Sequence, residues 1–336
     1  MRIDRVLAVV VLAAAPGCVP ASRQAPPAQT APPAYAPAAP PYAPGYAAPY
    51  PAPYSAYPTP PGPQAPQAPQ RPLLAPLVGS AAWQAETRGV IAEDVAALTP
   101  DNQARVQGIP LVIDPNPYEI NAYAACDAQG HAGVVGTEGL LEAIDAIAQT
   151  KATDELYGTR TYDQYIATVV PALASSNSAS AALPPGILPP AALTDPRRWS
   201  RAHEWFDEIV SFTFGHELSH HWLGHTGCAN GTPNLLGVVQ SFLTQVPIAA
   251  FTQPAEFQAD TEGTNTMLAA GRRRVPQYRW NEEGALALLD FFLHLEQSVG
   301  LTNQVRVAFL GTHPSSALRS PIVQATARLW YSQHPG

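Results

Sequence analysis

Lysine is nearly missing from this chain: Lys151 is the only one among 336 residues. Charged residues of all kinds make up 13% of the sequence, against an ordinary share of about 25%. No Asp or Glu stands between Asp4 and Glu86. There are three cysteines, and no apolar run reaches the roughly 20 residues that a membrane-spanning helix needs. Each shortage excludes something. Without lysine clusters there is no lysine-rich patch for an anionic lipid surface. Residues 77–336 carry a formal charge of -11, the wrong sign for binding a phosphate backbone, so no nucleic-acid partner is expected. A stretch without acidic residues and rich in proline cannot bury enough apolar surface to offset its chain entropy. A single globular domain of 336 residues is therefore ruled out.

What the early chain does contain is proline. Residues 20–76 hold 20 of the 38 prolines and 6 of the 13 tyrosines, in Tyr-Ala-Pro and Pro-Gln-Ala repeats. Such a segment favours extended polyproline II at about 3.1 Å per residue, a tether with a reach on the order of 150 Å. Ahead of it, Arg2 and Arg5 precede the apolar run Val6 to Ala15 and then Ala15-Pro16-Gly17-Cys18. This is the layout of an export signal, and the small residues before Cys18 resemble a bacterial lipoprotein box, in which that Cys is lipidated. The expected organisation is a signal segment with lipidated Cys18 over 1–18, a tether over 19–76 and a folded domain over 77–336. Val19 favours the periplasmic side of the outer membrane; secretion to the periplasm, with Cys18 incidental, is the alternative. Two cysteines in an exported domain, Cys126 and Cys228, suggest one disulfide, the alternative being two buried thiols.

Along 77–336 the pattern predicts an α+β fold, mostly α. Helices are expected over 81–98, 138–149, 255–270, 283–298 and 319–332. A short strand is expected over 109–113, and a hairpin over 119–136 with its turn at 126–133. Residues 171–195 read as a long surface loop. A long helix starts at Asp195-Pro196 and ends near Gly224 to Gly227. The apolar stretch 234–251 contains Gln240, Thr244, Gln245 and Pro247, which point to a buried or surface-dipping helix rather than a membrane span.

The long helix carries His216-Glu217-Leu218-Ser219-His220. Positions i and i+4 lie about 40° apart and one turn along, so both imidazoles can meet one tetrahedral metal. Glu217 projects about 100° from His216, within reach of a metal-bound water. Catalytic zinc needs a third protein ligand and an open position. A further histidine in the metzincin spacing fails, because Thr226 and Leu223 occupy those places. A glutamate on a later helix, the gluzincin arrangement, is available in Glu256-Phe257-Gln258-Ala259-Asp260. Glu256 can ligate while Asp260 takes the second ring N–H of a ligand histidine.

These blocks together resemble the M48 zinc metallopeptidases, the family of the prenyl-protein endopeptidases and of envelope and mitochondrial quality-control proteases. The resemblance runs over about 110–320. It rests on His216–His220 with His225 following, Glu256–Asp260, and Gly311-Thr312-His313-Pro314 with Arg319. Upstream it rests on Asn116-Pro117, Ile120–Ala124 and Gly136–Leu141. It implies a zincin domain of gluzincin type with a small sheet or hairpin beside the metal helix, and one Zn²⁺ per chain on His216, His220 and Glu256. Glu217 would be the general base and Asp260 a supporting carboxylate. His313 would hold an oxyanion or cap the metal, Arg319 would brace the site, and Asn121, Ala122, Tyr123 and Ala124 would form the edge on which substrate docks. The turn containing Cys126 and His131, and the segment 171–195, depart from the family pattern.

The resulting expectation is a membrane-anchored zinc endopeptidase acting on unfolded or extended envelope proteins. Its rivals are a latent chaperone or assembly factor working with the outer-membrane protein assembly machinery, and a purely structural metal. His203, His221 and His225 are read as ordinary histidines outside the site.

Overall fold

The computed structural model describes residues 80–127, 129–176, 178–228, 252–276, 279–298, 313 and 315–335. The signal segment, Cys18, the tether, the stretch 234–251, Gly311, Thr312 and Pro314 lie outside the described residues. Described elements in chain order are α1 (Ser80–Ala97), α2 (Pro100–Val106), β1 (Leu111–Asp114), β2 (Ala122–Cys126), β3 (Ala132–Thr137), α3 (Glu138–Tyr157), α4 (Thr161–Ser175), α5 (Pro190–Leu193), α6 (Pro196–Trp222), α7 (Gln253–Arg272), α8 (Glu283–Ser298) and α9 (Ser316–Gln333). The fold is α+β and mostly helical, with one small sheet.

Helix α6 is the axis of the domain. The Asp195 side chain accepts the Arg197 N–H, and Pro196 opens the first turn, a position where its missing N–H is not needed. Almost every side chain from Ala202 to His220 is buried, because α1, α3, α7 and α8 and the strands β2 and β3 all pack around this helix. Among the described residues, no helix is long and apolar enough to cross a membrane.

The sheet has the order β1-β3-β2, with β1 parallel and β2 antiparallel to β3. All six β3 residues are buried, as a central strand requires. Thr137 ends that strand and caps the next helix, its Oγ1 accepting the Leu140 N–H at 3.2 Å. Cys126 at the end of β2 is joined by a disulfide to Cys228, beyond the end of α6, with Cα atoms 5.4 Å apart. The sheet is thus fastened to the C-terminal end of the central helix.

Three expectations need correction. The hairpin turn spans 127–131 rather than 126–133, because Asp127 Oδ1 accepts the N–H groups of Gln129 and His131 and closes it tightly. Helix α3 continues past Gln149 to Tyr157. The polar residues that break its apolar pattern are satisfied internally: Gln149 donates to Asp145 at 2.8 Å and Thr150 to the Ala146 carbonyl at 2.8 Å. The segment 171–195 is not all surface loop. Helix α4 runs through Pro171, which lies on the exposed face where water can serve the unpaired carbonyl. Farther on, Ala181, Leu183 and Leu188 are buried in the main core.

Close packing also buries acid. Glu208 on α6 faces Gly284 on α8, where an added Cβ would lie 2.6 Å from the Glu208 Cβ. Neither carboxylate oxygen has a hydrogen-bond partner among the described residues, and Arg201 is 3.7 Å away. Burial pushes the Glu208 carboxyl up to about 8 from 4.5, against the attraction of Arg201. Burial raises Asp94 and Asp207 in the same direction. A carboxyl that holds its proton more tightly when folded supports the fold at low pH, and that support fades as pH rises from its unfolded to its folded pKa. Stability in urea should therefore fall between about pH 5 and about pH 8. Glu208→Gln should flatten part of that fall, and a variant profile parallel to wild type would contradict the assignment.

Candidate metal centre

Two helices supply the centre, and glycine sets how near they come. A Cβ on Gly263 of α7 would sit 2.9 Å from the His216 backbone nitrogen, and one on Gly215 would meet Gly263 at 3.6 Å. The backbones therefore pack against each other where the histidines project. His216 and His220, one turn apart on α6, turn their Nε2 atoms to within 3.2 Å of each other. Glu256, in the first turn of α7, places its two oxygens 3.4 Å from His216 Nε2 and 3.5 Å from His220 Nε2. All three side chains are buried.

These separations test whether the donors fit a metal. Zinc bound tetrahedrally at about 2.0–2.1 Å has ligand-to-ligand edges of about 3.3–3.4 Å. The His216 and His220 Nε2 atoms are 3.2 Å apart, close to that value, and each faces a different Glu256 oxygen, Oε2 at 3.4 Å and Oε1 at 3.5 Å, so the carboxylate spans both histidines. Glu256 Oε1 is buried with no hydrogen-bond partner among the described residues, as suits an atom aimed at a cation. The His216, His220 and Glu256 group can hold a metal ion.

The surrounding groups orient these donors. Asp260, one turn after Glu256, lies 3.0 Å from His216 Nδ1 and accepts its N–H, leaving Nε2 as the lone-pair donor. Arg319 on α9 grips Asp260 through Nη2 at 2.6 Å and Nε at 3.0 Å. Glu217 Oε1 is 3.9 Å from His216 Nε2 and 3.7 Å from His313 Nε2. His313 Nδ1 contacts Glu256 Oε2 at 2.6 Å.

Charge decides the protonation pattern. Among the described residues, Glu217, Glu256 and Asp260 are buried beside one buried guanidinium, that of Arg319, which leaves two negative charges to compensate. Burial raises the Glu217 carboxyl. Burial and Arg319 push His216 down, but Asp260, Glu256 and Glu217 outweigh them and raise it to about 9. Burial and the neighbouring His216 hold His220 well below its ordinary value. Glu256 stays ionised despite burial, because His216 and His313 donate to it. Added protons can neutralise such a cluster, and a divalent cation can replace them.

The structure also brings together residues outside the expected site. His225 Nδ1 lies 2.9 Å from His220 Nδ1, so this histidine is not a bystander. Its placement follows from how α6 stops. Gly224 adopts φ 80°, the His225 N–H bonds to the His220 carbonyl at 2.8 Å, and the Gly224 N–H to the His221 carbonyl at 3.0 Å. This is a Schellman motif, which folds the residue after the left-handed glycine back onto the one five positions earlier. His220-Xaa3-Gly224-His225 was the sequence signal for it. His221 Nε2 pairs with the Gly133 carbonyl of β3 at 3.0 Å, and His203 with Glu86 at 2.6 Å. Of the expected docking residues, Ala122, Tyr123 and Ala124 lie in β2. Asn121 precedes the strand and gives its N–H to Thr137 Oγ1 at 3.1 Å.

No family model matches the chain, and searches of curated proteins and of solved structures give no match either.

Removing one partner of a buried ion pair leaves the other charge uncompensated, at about 3–5 kcal/mol. Arg319→Met should lower unfolding stability by about that amount. Adding Asp260→Asn should recover most of the loss. Equal urea midpoints for the single and double variants would show that Arg319 does not act through Asp260.

Proposed function

We propose that the chain is a zinc-dependent endopeptidase of the zincin type, similar to the M48 metallopeptidases, acting on extended or unfolded polypeptide. The observation that carries this reading is the triangle of His216, His220 and Glu256 donors with an additional carboxylate, Glu217, 3.9 Å from one corner. A closed structural site has no use for that extra acid. Its Oε2 is buried without a hydrogen-bond partner among the described residues.

His216, His220 and Glu256 would hold the ion. Zinc bound there would supply Lewis acidity toward a peptide carbonyl and toward a water. Glu217, its affinity for a proton raised by burial, takes the proton of the attacking water and delivers it to the leaving amine. His313 Nε2 lies 3.7 Å from Glu217; its one N–H is given to Glu256 through Nδ1, so serving the developing oxyanion would require that hydrogen to be exchanged onto the oxyanion side. Asp260 and Arg319 keep His216 in the donor tautomer throughout. Strand β2 packs beside α6 and pairs with β3 alone among the described residues. The other edge of Ala122–Ala124 is the place where an extended substrate can add as a strand. The requirement for extended backbone favours unfolded clients.

The N-terminal sequence supports an envelope location. Cys18 would carry a lipid anchor in the outer membrane, and the proline-rich tether would hold the enzyme away from it. A disulfide at Cys126–Cys228 suits an oxidising compartment.

One contact favours a second reading. His313 Nδ1 sits 2.6 Å from Glu256 Oε2, so His313 can cap the third ligand and hold the enzyme latent as a chaperone or assembly factor. The two readings part on one comparison. With zinc retained, Glu217→Gln should reduce casein cleavage about 10²- to 10⁴-fold. Undiminished cleavage would remove Glu217 from the role of base. His313→Ala should lower cleavage if it serves the oxyanion; a rise in cleavage would establish the latent cap instead.

A further inference from the structure

We infer that His225, oriented by Gln258, is a positioning residue that fixes the tautomer of His220 and so turns the His220 Nε2 lone pair toward the metal. The inference deepens the zinc reading above and rests on it.

The argument is one of counting protons. His220 Nδ1 and His225 Nδ1 are 2.9 Å apart, so one donates and the other accepts; two N–H groups cannot face each other at that distance. The other ring nitrogen of His225, Nε2, lies 3.0 Å from Gln258 Oε1. A carbonyl oxygen only accepts, so His225 carries its hydrogen on Nε2. A neutral imidazole has one N–H, so His225 Nδ1 is the acceptor. The His220 hydrogen is then on Nδ1, and its Nε2 bears the lone pair that faces His216 and Glu256 at 3.2 and 3.5 Å. The relay runs from the Gln258 carbonyl through two imidazoles to the metal donor.

The same chain has an opposite state. If the Gln258 amide turned its NH₂ toward His225, every hydrogen in the relay would shift by one position. His220 would then present Nε2–H to His216 and Glu256 and could not ligate. Gln258 is two residues after Glu256, on the same helix, so α7 supplies both the third ligand and the group that prepares the second. His216 receives the equivalent service from Asp260. His220 has an imidazole and a carboxamide in place of a carboxylate, so its preparation adds no negative charge to the cluster.

The backbone holds the relay in register. Gly224, at φ 80°, has a conformation that a residue with a Cβ adopts only under strain. Thr226 Oγ1 pairs with His221 Nδ1 at 3.0 Å and accepts the Cys228 N–H at 3.3 Å. The disulfide then ties the loop to β2.

The test uses the full chain with zinc as the probe. Affinity is read by competition with a chromophoric chelator, and imidazole tautomers by long-range proton–nitrogen NMR of the zinc-loaded wild type. His225→Ala should weaken zinc binding about 10- to 100-fold. His225→Asn, whose Oδ1 stands where Nδ1 stood as acceptor, should restore most of that affinity, and Gln258→Glu should keep it. NMR should find His220 protonated on Nδ1 and His225 on Nε2. Wild-type affinity in His225→Ala, equal losses in the Ala and Asn variants, or a proton on His225 Nδ1 would each overturn the relay while leaving the zinc site standing. A wild-type chain that binds no zinc would overturn both. The NMR result stands even where a variant fails to fold.

Discussion

The structure is organised by the need to compensate buried charge. Glu217, Glu256 and Asp260 lie inside the domain with one guanidinium, Arg319, among them. Isolated carboxylates in such surroundings are strongly disfavoured. Among the described residues that leaves two negative charges to be offset, by protons or by one divalent ion. That requirement explains why two histidines converge on a carboxylate at 3.4 and 3.5 Å, and why a third acid, Asp260, is tolerated only in the grip of Arg319.

Everything around the cluster keeps these groups in place. Gly215 and Gly263 let α6 and α7 approach until backbone meets backbone, so His216 and Glu256 project into the same small volume. The His221–Gly133 bond from α6 to the sheet, and the Cys126–Cys228 bridge just beyond α6, fix the C-terminal turn of that helix. That turn returns His225 to His220. The site is therefore not an accessory on the fold: the contacts that close the domain are those that orient the donors.

Much of this was legible in the sequence, for identifiable reasons. The i, i+4 spacings of His216 and His220 and of Glu256 and Asp260 survive any tertiary rearrangement, because a helix alone fixes them. Helix α6 was legible from Asp195-Pro196 onward for the same local reason. The length of α3 was hidden because Gln149, Thr150 and Thr153 look like a polar boundary and are instead satisfied within the helix. Helix α4 was obscured by Pro171, and the core role of Ala181 to Leu188 by a composition that reads as loop. His225 stands one residue out of step with the metzincin spacing, so no ligand pattern includes it. Gly224 was legible as the helix stop, but not what that stop does, which is to return the next residue to His220. The glycine contact at Gly263 is a matter of helix approach, which no single-sequence pattern encodes.

The central claim is that His216, His220 and Glu256 form one divalent metal site. X-ray absorption on the zinc-loaded full chain addresses it most directly. The account predicts one zinc per chain, with two imidazole nitrogens and carboxylate oxygen at about 2.0–2.1 Å, and loss of that signature in His216→Ala. A sulfur shell at about 2.3 Å, or a wild-type chain that takes up no zinc, would contradict it.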